Sequence, residues 1–433
     1  MSAKAALSLS SIPGADDITR VVLENGIVVL ARENPNSLSV NLRGYLPAGS
    51  LLDPDDKLGL ADFVADGLMR GTARREFQAI YDALESVGAN FGFSSGTHTA
   101  SFGGKSLAED LPLLLDILNE GLRTPVFPGD QVEKLRAQLL TGLALRAQDT
   151  RDMASLIFDD LVYRQHPYAR PGEGHPETIG AITMDDLIQF HRSDYGPRGM
   201  AVAVVGGIRA EAAVEQVRAA LEDWTNADQP PVPALPDWQP LPERVYKRKD
   251  IAGKSQSDLI VGTAGPPRLA ADFMAANLGN SILGRFGLMG RIGDSLREKA
   301  GLAYYAYSNV AGGSGPGAWE VAAGVNPANE QRAIDLIFTE LERFTSELVD
   351  EEELSDSQSN FIGSMPLSLE SNGGVADAML NIERYDLGLD YYRQYPKLVQ
   401  AVTRQQVQAA AANYLQADRL AVAVAGPPPT EVS

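Results

Sequence analysis

The 433-residue chain contains no cysteine. Disulfides, thiolate zinc sites and cysteine nucleophiles are thereby excluded. Histidine is almost as scarce: His98, His166, His175 and His191 are the full set, and no two stand at i and i+4. A two-histidine metal site on one helix face therefore cannot be drawn. His166 and His175 flank the turn HPYARPGEGH, where loop ligation is the functional alternative to ordinary polar loop residues. Positive charge is in deficit, with 37 Lys and Arg against 57 Asp and Glu and a formal net charge of −20. Such a surface repels a phosphate backbone, so a nucleic-acid partner is not expected. It suits cationic peptides, a basic partner protein or plain solubility. Long apolar runs are missing too, and none approaches the ~18–20 residues of a membrane span. The opening MSAKAALSLSSIPGADD makes a poor secretory signal. A cytoplasmic protein is the expectation, with a mature exported, periplasmic form as the alternative.

What is present is ample material for large cores, since 44% of residues are hydrophobic and 22% charged. At about 100–200 residues per domain, the length predicts two to four domains. The clearest break in composition is NADQPPVPALPDWQPLP, Asn226 to Pro242, whose six prolines cannot donate ladder or helix hydrogen bonds. It reads as an extended, stiff connector between an N-terminal domain, residues 1–225, and a C-terminal domain, residues 243–433.

The two parts end alike. TMDDLIQFHRSDYGPRGMAVAVVGG from Thr183 and TRQQVQAAAANYLQADRLAVAVAGP from Thr403 each give a threonine-capped amphipathic helix, a tyrosine, a short turn with an arginine, and an AVAV strand. The step from the threonine to the strand is the same in both, which argues for an internal duplication. Within the first half, strands lead (TRVVLENGIVVLARE, SVNLRGYLPAGS), followed by a helix around Asp62 and another from about Phe77 to Val87. NFGFSS and HTASFGG read as a hairpin, and long helices follow over Leu107–Leu122 and Gly129–Gln148. This order predicts an α+β fold of two homologous half-shell domains, each with antiparallel or mixed sheets covered by helices.

In GLADFVADGLMRGT, Asp62, Ala65 and Asp66 stand at i, i+3 and i+4, so they share one turn of one helix face. That is the frame of the inverted zinc-peptidase motif H-x-x-E-H with its chemistry absent. Around it, LENGIVVLARE, DALESVGANFGFSSGTHTASF, LAEDLPLLLDIL and HPYARPGEGHPETI in the first half carry a family likeness. So do KSQSDLIVGTAGP, NSILGRFGLMGRIGDSLREKAGLAYYAYS and RLAVAVAG in the second. The chain resembles the pitrilysin and mitochondrial-processing-peptidase family of inverted-motif zinc peptidases over nearly its whole length.

The resemblance implies that Asp62 and Asp66 occupy the positions of the two zinc-binding histidines, and Ala65 that of the glutamate that activates water. The family's third ligand, a glutamate about 75 positions further on, falls at Thr141–Gly142, where no carboxylate stands. Two aspartates are hard oxygen donors better matched to calcium or magnesium than to a His₂Glu zinc centre. A hard-cation site built from Asp62 and Asp66 with Asp53, Asp55 or Asp56 is thus the metal alternative to a merely acidic, wetted helix face.

In LREKAGLAYYAYS, Arg297 and Tyr304 are seven apart. The resemblance implies that they are the arginine–tyrosine pair that holds the substrate backbone and stabilises the tetrahedral intermediate. Within the family's two-chain members, this points to the non-catalytic subunit of a heterodimer. Its partner, a homologous subunit with H-x-x-E-H, carries the zinc, unfolded peptides are the substrates, and this chain holds no cofactor of its own. The alternatives are a proteolytically inert scaffold or a peptide-binding protein of the same fold. AGGSGPGAWE, Ala311 to Glu320, reads as a flexible hairpin turn and fits no phosphate-binding fingerprint.

Overall fold

The computed structural model describes residues 12–285 and 290–428. The start of the opening segment and residues 286–289 of the NSILGRFGLMGR stretch lie outside the described residues. The first half opens with strands β1 (Thr19–Val22), β2 (Val28–Glu33) and β3 (Ser39–Leu46), then helices α1 (Leu60–Gly67) and α2 (Phe77–Ser86). Strands β4 (Asn90–Ser95) and β5 (Ala100–Leu107) precede α3 (Leu111–Arg123), α4 (Gly129–Arg146), α5 (Thr150–Tyr163), α6 (Pro176–Ala181) and α7 (Met184–Asp194). Strand β6 (Ala201–Gly206) and α8 (Ala210–Leu221) close it.

The second half holds β7 (Val245–Asp250), β8 (Ser257–Ala264), α9 (Phe273–Gly284), α10 (Gly290–Gly293), β9 (Ala303–Val310) and β10 (Ala318–Val325). It ends with α11 (Glu330–Ser346), α12 (Glu351–Ser368), α13 (Asn372–Arg384), α14 (Tyr391–Gln400), α15 (Arg404–Tyr414) and β11 (Ala421–Gly426).

Two mixed sheets repeat one plan. Their orders are β1-β2-β6-β3-β5-β4 and β7-β11-β8-β10-β9, which match strand for strand once β1 is set aside. In each, one neighbouring pair is parallel, β2 with β6 and β7 with β11, and the other pairs are antiparallel. The expected strand TRVVLENGIVVLARE is instead a hairpin of β1 and β2, because Gly26 takes φ +91° at the turn. The expected helix start at Leu107 is also late. β5 runs through Leu107, and Pro112 stands in the first turn of α3, where its missing N–H costs no helix bond.

Packing divides the chain into two compact units. Unit 1 takes the described residues up to Leu143, Pro171–Pro233 and Met365–Tyr395; unit 2 takes Ala144–Arg170, Ala234–Ser364 and the described residues from Pro396. The units therefore interleave the sequence halves 1–225 and 243–433 rather than reproducing them: α5 belongs to unit 2 and α13 to unit 1. The AVAV strands explain why. In unit 1, Val202 and Val204 of β6 face the larger core with α1, α3 and α8, while Ala203 and Val205 face the core that includes Val375, Ala376 and Met379 of α13. In unit 2, Val422 and Val424 of β11 face the core with α9, α11 and α15, while Ala421, Ala423 and Ala425 meet Ala154, Ile157 and Phe158 of α5. Such strands, buried on both faces, need an apolar cover on each side, and small residues let a helix lie close.

The terminal helices are capped as their sequences predict. Thr183 Oγ1 accepts from Asp186 N at 3.2 Å while Asp186 Oδ2 accepts from Thr183 N at 2.7 Å. Thr403 and Gln406 repeat the exchange at 3.2 and 2.8 Å. The proline-rich stretch 226–242 has no helix or strand, yet it is tied down: Gln229 exchanges hydrogen bonds with the Arg198 backbone, and Trp238 Nε1 donates to Val162 O.

Candidate functional site

In unit 1, α1 is started by a buried aspartate. Asp53 accepts from Gly59 N and Ala61 N, both at 2.8 Å, and so satisfies two of the orphan N–H groups of that helix. Gly59 holds φ +91°, and a Cβ there would lie 2.8 Å from Glu173 O, so the loop from HPYARPGEGH packs directly on the helix start. Thr178 Oγ1 seals the contact by donating to Leu58 O at 2.7 Å.

The face that follows carries Asp62 and Asp66, both part-buried, with Ala65 fully buried between them. Neither carboxylate makes a hydrogen bond or close ion pair among the described residues. Burial pushes Asp62 up to about 7, helped by the negative charges of Asp66, Glu173 and Asp53. Burial raises Asp66 as well, against the opposing pull of Arg70. Tyr195, only 2% exposed, has a phenol with no hydrogen-bond partner among the described residues. Burial raises its pKa, and Asp62, Asp194 and Asp66 add to the rise.

This donor set does not fit zinc. Histidine and cysteine are absent from it, Ala65 has no proton acceptor, and Thr141 is exposed on α4 with its hydroxyl donating to Ala137 O at 2.7 Å. The hard-cation alternative loses Asp53 to the α1 backbone. Asp55 and Asp56 are exposed in a separate short turn. Among the described residues no group of three or more His, Asp or Glu is arranged to hold a metal. Three of the histidines serve structure: His191 is part-buried with Nε2–H donating to Leu122 O at 3.0 Å and is pushed down to about 4 by burial. His166 is buried, its Nδ1 accepting from Tyr168 N, and His175 begins α6.

Unit 2 places Arg297 and Tyr304 on consecutive structural features. After α10 the chain widens into a π-helical turn, Asp294–Lys299, in which Ala300 N donates to Ser295 O at 3.2 Å. Gly301, at φ +62°, ends it and leads into β9. Such widened turns re-aim the side chains they carry. Arg297 is exposed, and among the described residues Glu298 alone lies within ion-pair range, at 3.6 Å. Tyr304 is 63% exposed near the start of β9, the edge strand of its sheet. The neighbouring tyrosines point to the opposite face and are engaged. Tyr305 donates to buried Asp258, lies under the Arg151 guanidinium and stacks on Tyr307 with ring centroids 5.8 Å apart. Tyr304 is therefore the phenol of this run left to solvent. The loop AGGSGPG joins β9 to β10 as the expected hairpin turn.

Two features escaped the sequence reading. β4 is the edge strand of the unit 1 sheet and packs against α1, so a row of backbone groups beside the Asp62 helix has no strand partner among the described residues. The alternating pattern of NFGFSS gave a strand but could not say that it ends the sheet. The second is a groove on the opposite face of that sheet, lined by residues of β3, β5 and α13.

Comparison with known proteins gives the ancestry. The family model described as insulinase (peptidase family M16) matches residues 28–171, and that described as peptidase M16 inactive domain matches residues 181–361. An uncharacterized zinc protease of Mycobacterium leprae is 26% identical over 417 residues, spanning 95% of this chain and 92% of its own. The beta subunit of the mitochondrial-processing peptidase of Saccharomyces cerevisiae is 23% identical over 391 residues, 85% of this chain and 81% of its own. Among solved structures, a peptidase M16 inactive-domain protein of Pseudomonas fluorescens superposes with TM-score 0.85 at 27% identity, covering 95% of this chain and 98% of that one. A Helicobacter pylori protease, at 19% identity, shares the fold with TM-score 0.86, covering 96% and 100%. With its two halves matched in succession by models of one family, and with relatives along nearly its whole length, the chain belongs to the M16 peptidases, the pitrilysin and mitochondrial-processing-peptidase family.

Proposed function

We propose that this protein is the non-catalytic subunit of a heterodimeric zinc peptidase. A homologous partner with an intact H-x-x-E-H supplies the zinc and the water-activating base, and this chain supplies groups that grip the peptide. The observation that carries the reading is a pairing of absence and presence. Asp62, Ala65, Asp66 and Thr141 are wrong for zinc, while Arg297 and Tyr304 stand exposed on a π-turn and an edge strand with no partner among the described residues that would occupy them fully. Arg297 can fork onto a peptide carbonyl, and the Tyr304 phenol can donate to an oxygen that becomes negative in the transition state. The unpaired edge of β4 suits an extended, unfolded peptide, which adds as a further strand through main-chain hydrogen bonds.

The test is complementation. The purified chain is expected to hold no zinc and cut no peptide alone, and to give strong turnover when the H-x-x-E-H partner is added. Arg297→Ala and Tyr304→Phe are expected to lower kcat of the complex by about 100–1000-fold, the range for losing one oxyanion donor, with dimer formation intact. If both variants leave kcat unchanged, the assignment of these residues is wrong. If the single chain binds one zinc and degrades peptides unaided, the whole reading is wrong.

A further inference from the structure

The outward face of the unit 1 sheet is only partly covered. Helix α13 packs chiefly on β6 and β3, and a groove of about 660 Å³ opens between the helix and strands β5 and β4. Its size is that of a small-ligand or short-peptide site. Its lining contrasts with the chain as a whole. Arg43, Lys105 and Arg384 face one carboxylate, Asp377, leaving two net positive charges (three minus one) in a chain of net charge −20.

The three cations are not equivalent. Arg43 Nη1 is committed to both oxygens of Asp377, at 2.7 and 2.6 Å. Arg384 lies over the Tyr45 ring, 4.2 Å from its centroid, and donates to Thr99 Oγ1 at 3.2 Å, which fixes its plane. Lys105 has no hydrogen-bond or ion-pair partner among the described residues. The site thus offers one free ammonium and one pre-set guanidinium, with amides and hydroxyls such as Asn90, Ser94 and Asn381 between them.

The floor carries a second, independent signal. Gly103 of β5 is paired directly with Gly92 of β4. Glycine weakens a strand interior, and it is kept where a close approach demands it. The fold makes no such demand here: a Cβ at Gly92 would meet nothing within 4 Å, and one at Gly103 nothing nearer than 3.7 Å. The adjacent Gly104, on the other face, is different, since a Cβ there would come within 2.6 Å of Asn90 O. Gly104 is required by packing, whereas Gly92 and Gly103 leave their face of the two strands low and open.

We propose that this groove binds an acidic peptide segment, whose backbone lies over the glycine pair and whose carboxylate side chains reach Lys105 and Arg384. Two available cations with interspersed amides match single, spaced carboxylates better than the dense charge of a polyphosphate or nucleic acid. That the occupant is a peptide rests on the function proposed above; the preference for acidic side chains rests on the groove itself.

The experiment uses the full chain without partner and two fluorescein-labelled octapeptides, alternating Ser-Glu and alternating Ser-Lys, followed by anisotropy. The expected result is binding of the glutamate peptide only, weakening as salt rises. Lys105→Glu and Gly103→Val are each expected to weaken it at least ~10-fold. Lys105 is exposed and Gly103 has room for a side chain, so both variants should melt no lower than the parent. Equal binding of the two peptides, binding of neither, undiminished binding by Gly103→Val, or equally effective displacement by inorganic tripolyphosphate would each overturn the proposal. A chain that binds the glutamate peptide yet fails to complement a catalytic partner refutes the earlier reading and leaves this one standing.

Discussion

Replacing Asp62 by asparagine should stabilise the protein, and only at neutral and alkaline pH. The carboxyl of Asp62 is raised from an ordinary 3.8 to about 7 by burial and by Asp66, Glu173 and Asp53. Between those two values the folded state holds a proton that the unfolded chain has released, so folding stability declines as pH climbs through this window. Below about 4 the group is protonated in both states and contributes nothing. Above about 7 its full penalty is present. Each pKa unit corresponds to about 1.4 kcal/mol, so a rise of some three units sets an upper bound of about 4 kcal/mol. Water reaches this part-buried carboxyl, and an effective dielectric near 20 lowers the figure to about 1–3 kcal/mol.

Asparagine keeps the shape and cannot ionise. Asp62→Asn should therefore match the parent near pH 4 and exceed it at pH 8, by about 2–4 °C in Tm per kcal/mol for a unit of 150–250 residues. Asp159 and Glu320 in unit 2, each also raised to about 7 chiefly by burial, titrate in the same window but cancel when variant and parent are compared at one pH. Thermal melts at pH 4.5 and pH 8 provide the assay. A shift of equal size at both pH values would refute the argument, because a neutral packing change does not depend on pH.

Other outcomes are as specific. Glu320→Gln should likewise raise Tm at pH 8 and not near pH 4, since burial alone drives its shift. Asp53→Ala leaves the Gly59 and Ala61 N–H groups without their acceptor and should cost about 1–3 kcal/mol in urea unfolding, with no compensation from Asp55 or Asp56. Thr183→Ala and Thr403→Ala should each cost about 1 kcal/mol, the typical loss of a cap, and the similarity of the two losses would reflect the repeated unit. Gly103→Ala should be neutral or stabilising in the same melt, while Gly104→Ala should destabilise by about 1–3 kcal/mol through overpacking against Asn90 and Phe91.

Much of the repeat was legible because its signals are local. A threonine at the N-cap with Asp or Gln three residues on, and an alternating AVAV run closed by glycine, specify a helix and a buried strand without reference to the rest of the chain. The misplaced boundaries were also local in origin: Gly26 bends an otherwise continuous β pattern, and Leu107 fits a strand end as well as a helix start. What could not be read was anything that depends on distant packing. Asp53 looks like its neighbours Asp55 and Asp56 until the α1 backbone is seen to claim it. Tyr304, Tyr305 and Tyr307 are equivalent in sequence, and only Asp258 and Arg151, far away along the chain, take Tyr305 out of solvent. The glycines of NFGFSS and ASFGGK likewise carry no label to tell an obligatory one from a permissive one.

The lending of α5 and α13 between sequence halves bears on how this protein can be divided. A cut within residues 226–242 would separate two fragments of plausible length, yet each would present the small-residue side of its central strand to water and carry a helix with nothing to cover. Neither fragment is a domain in its own right. Mixed together, the fragments should recover their structure jointly.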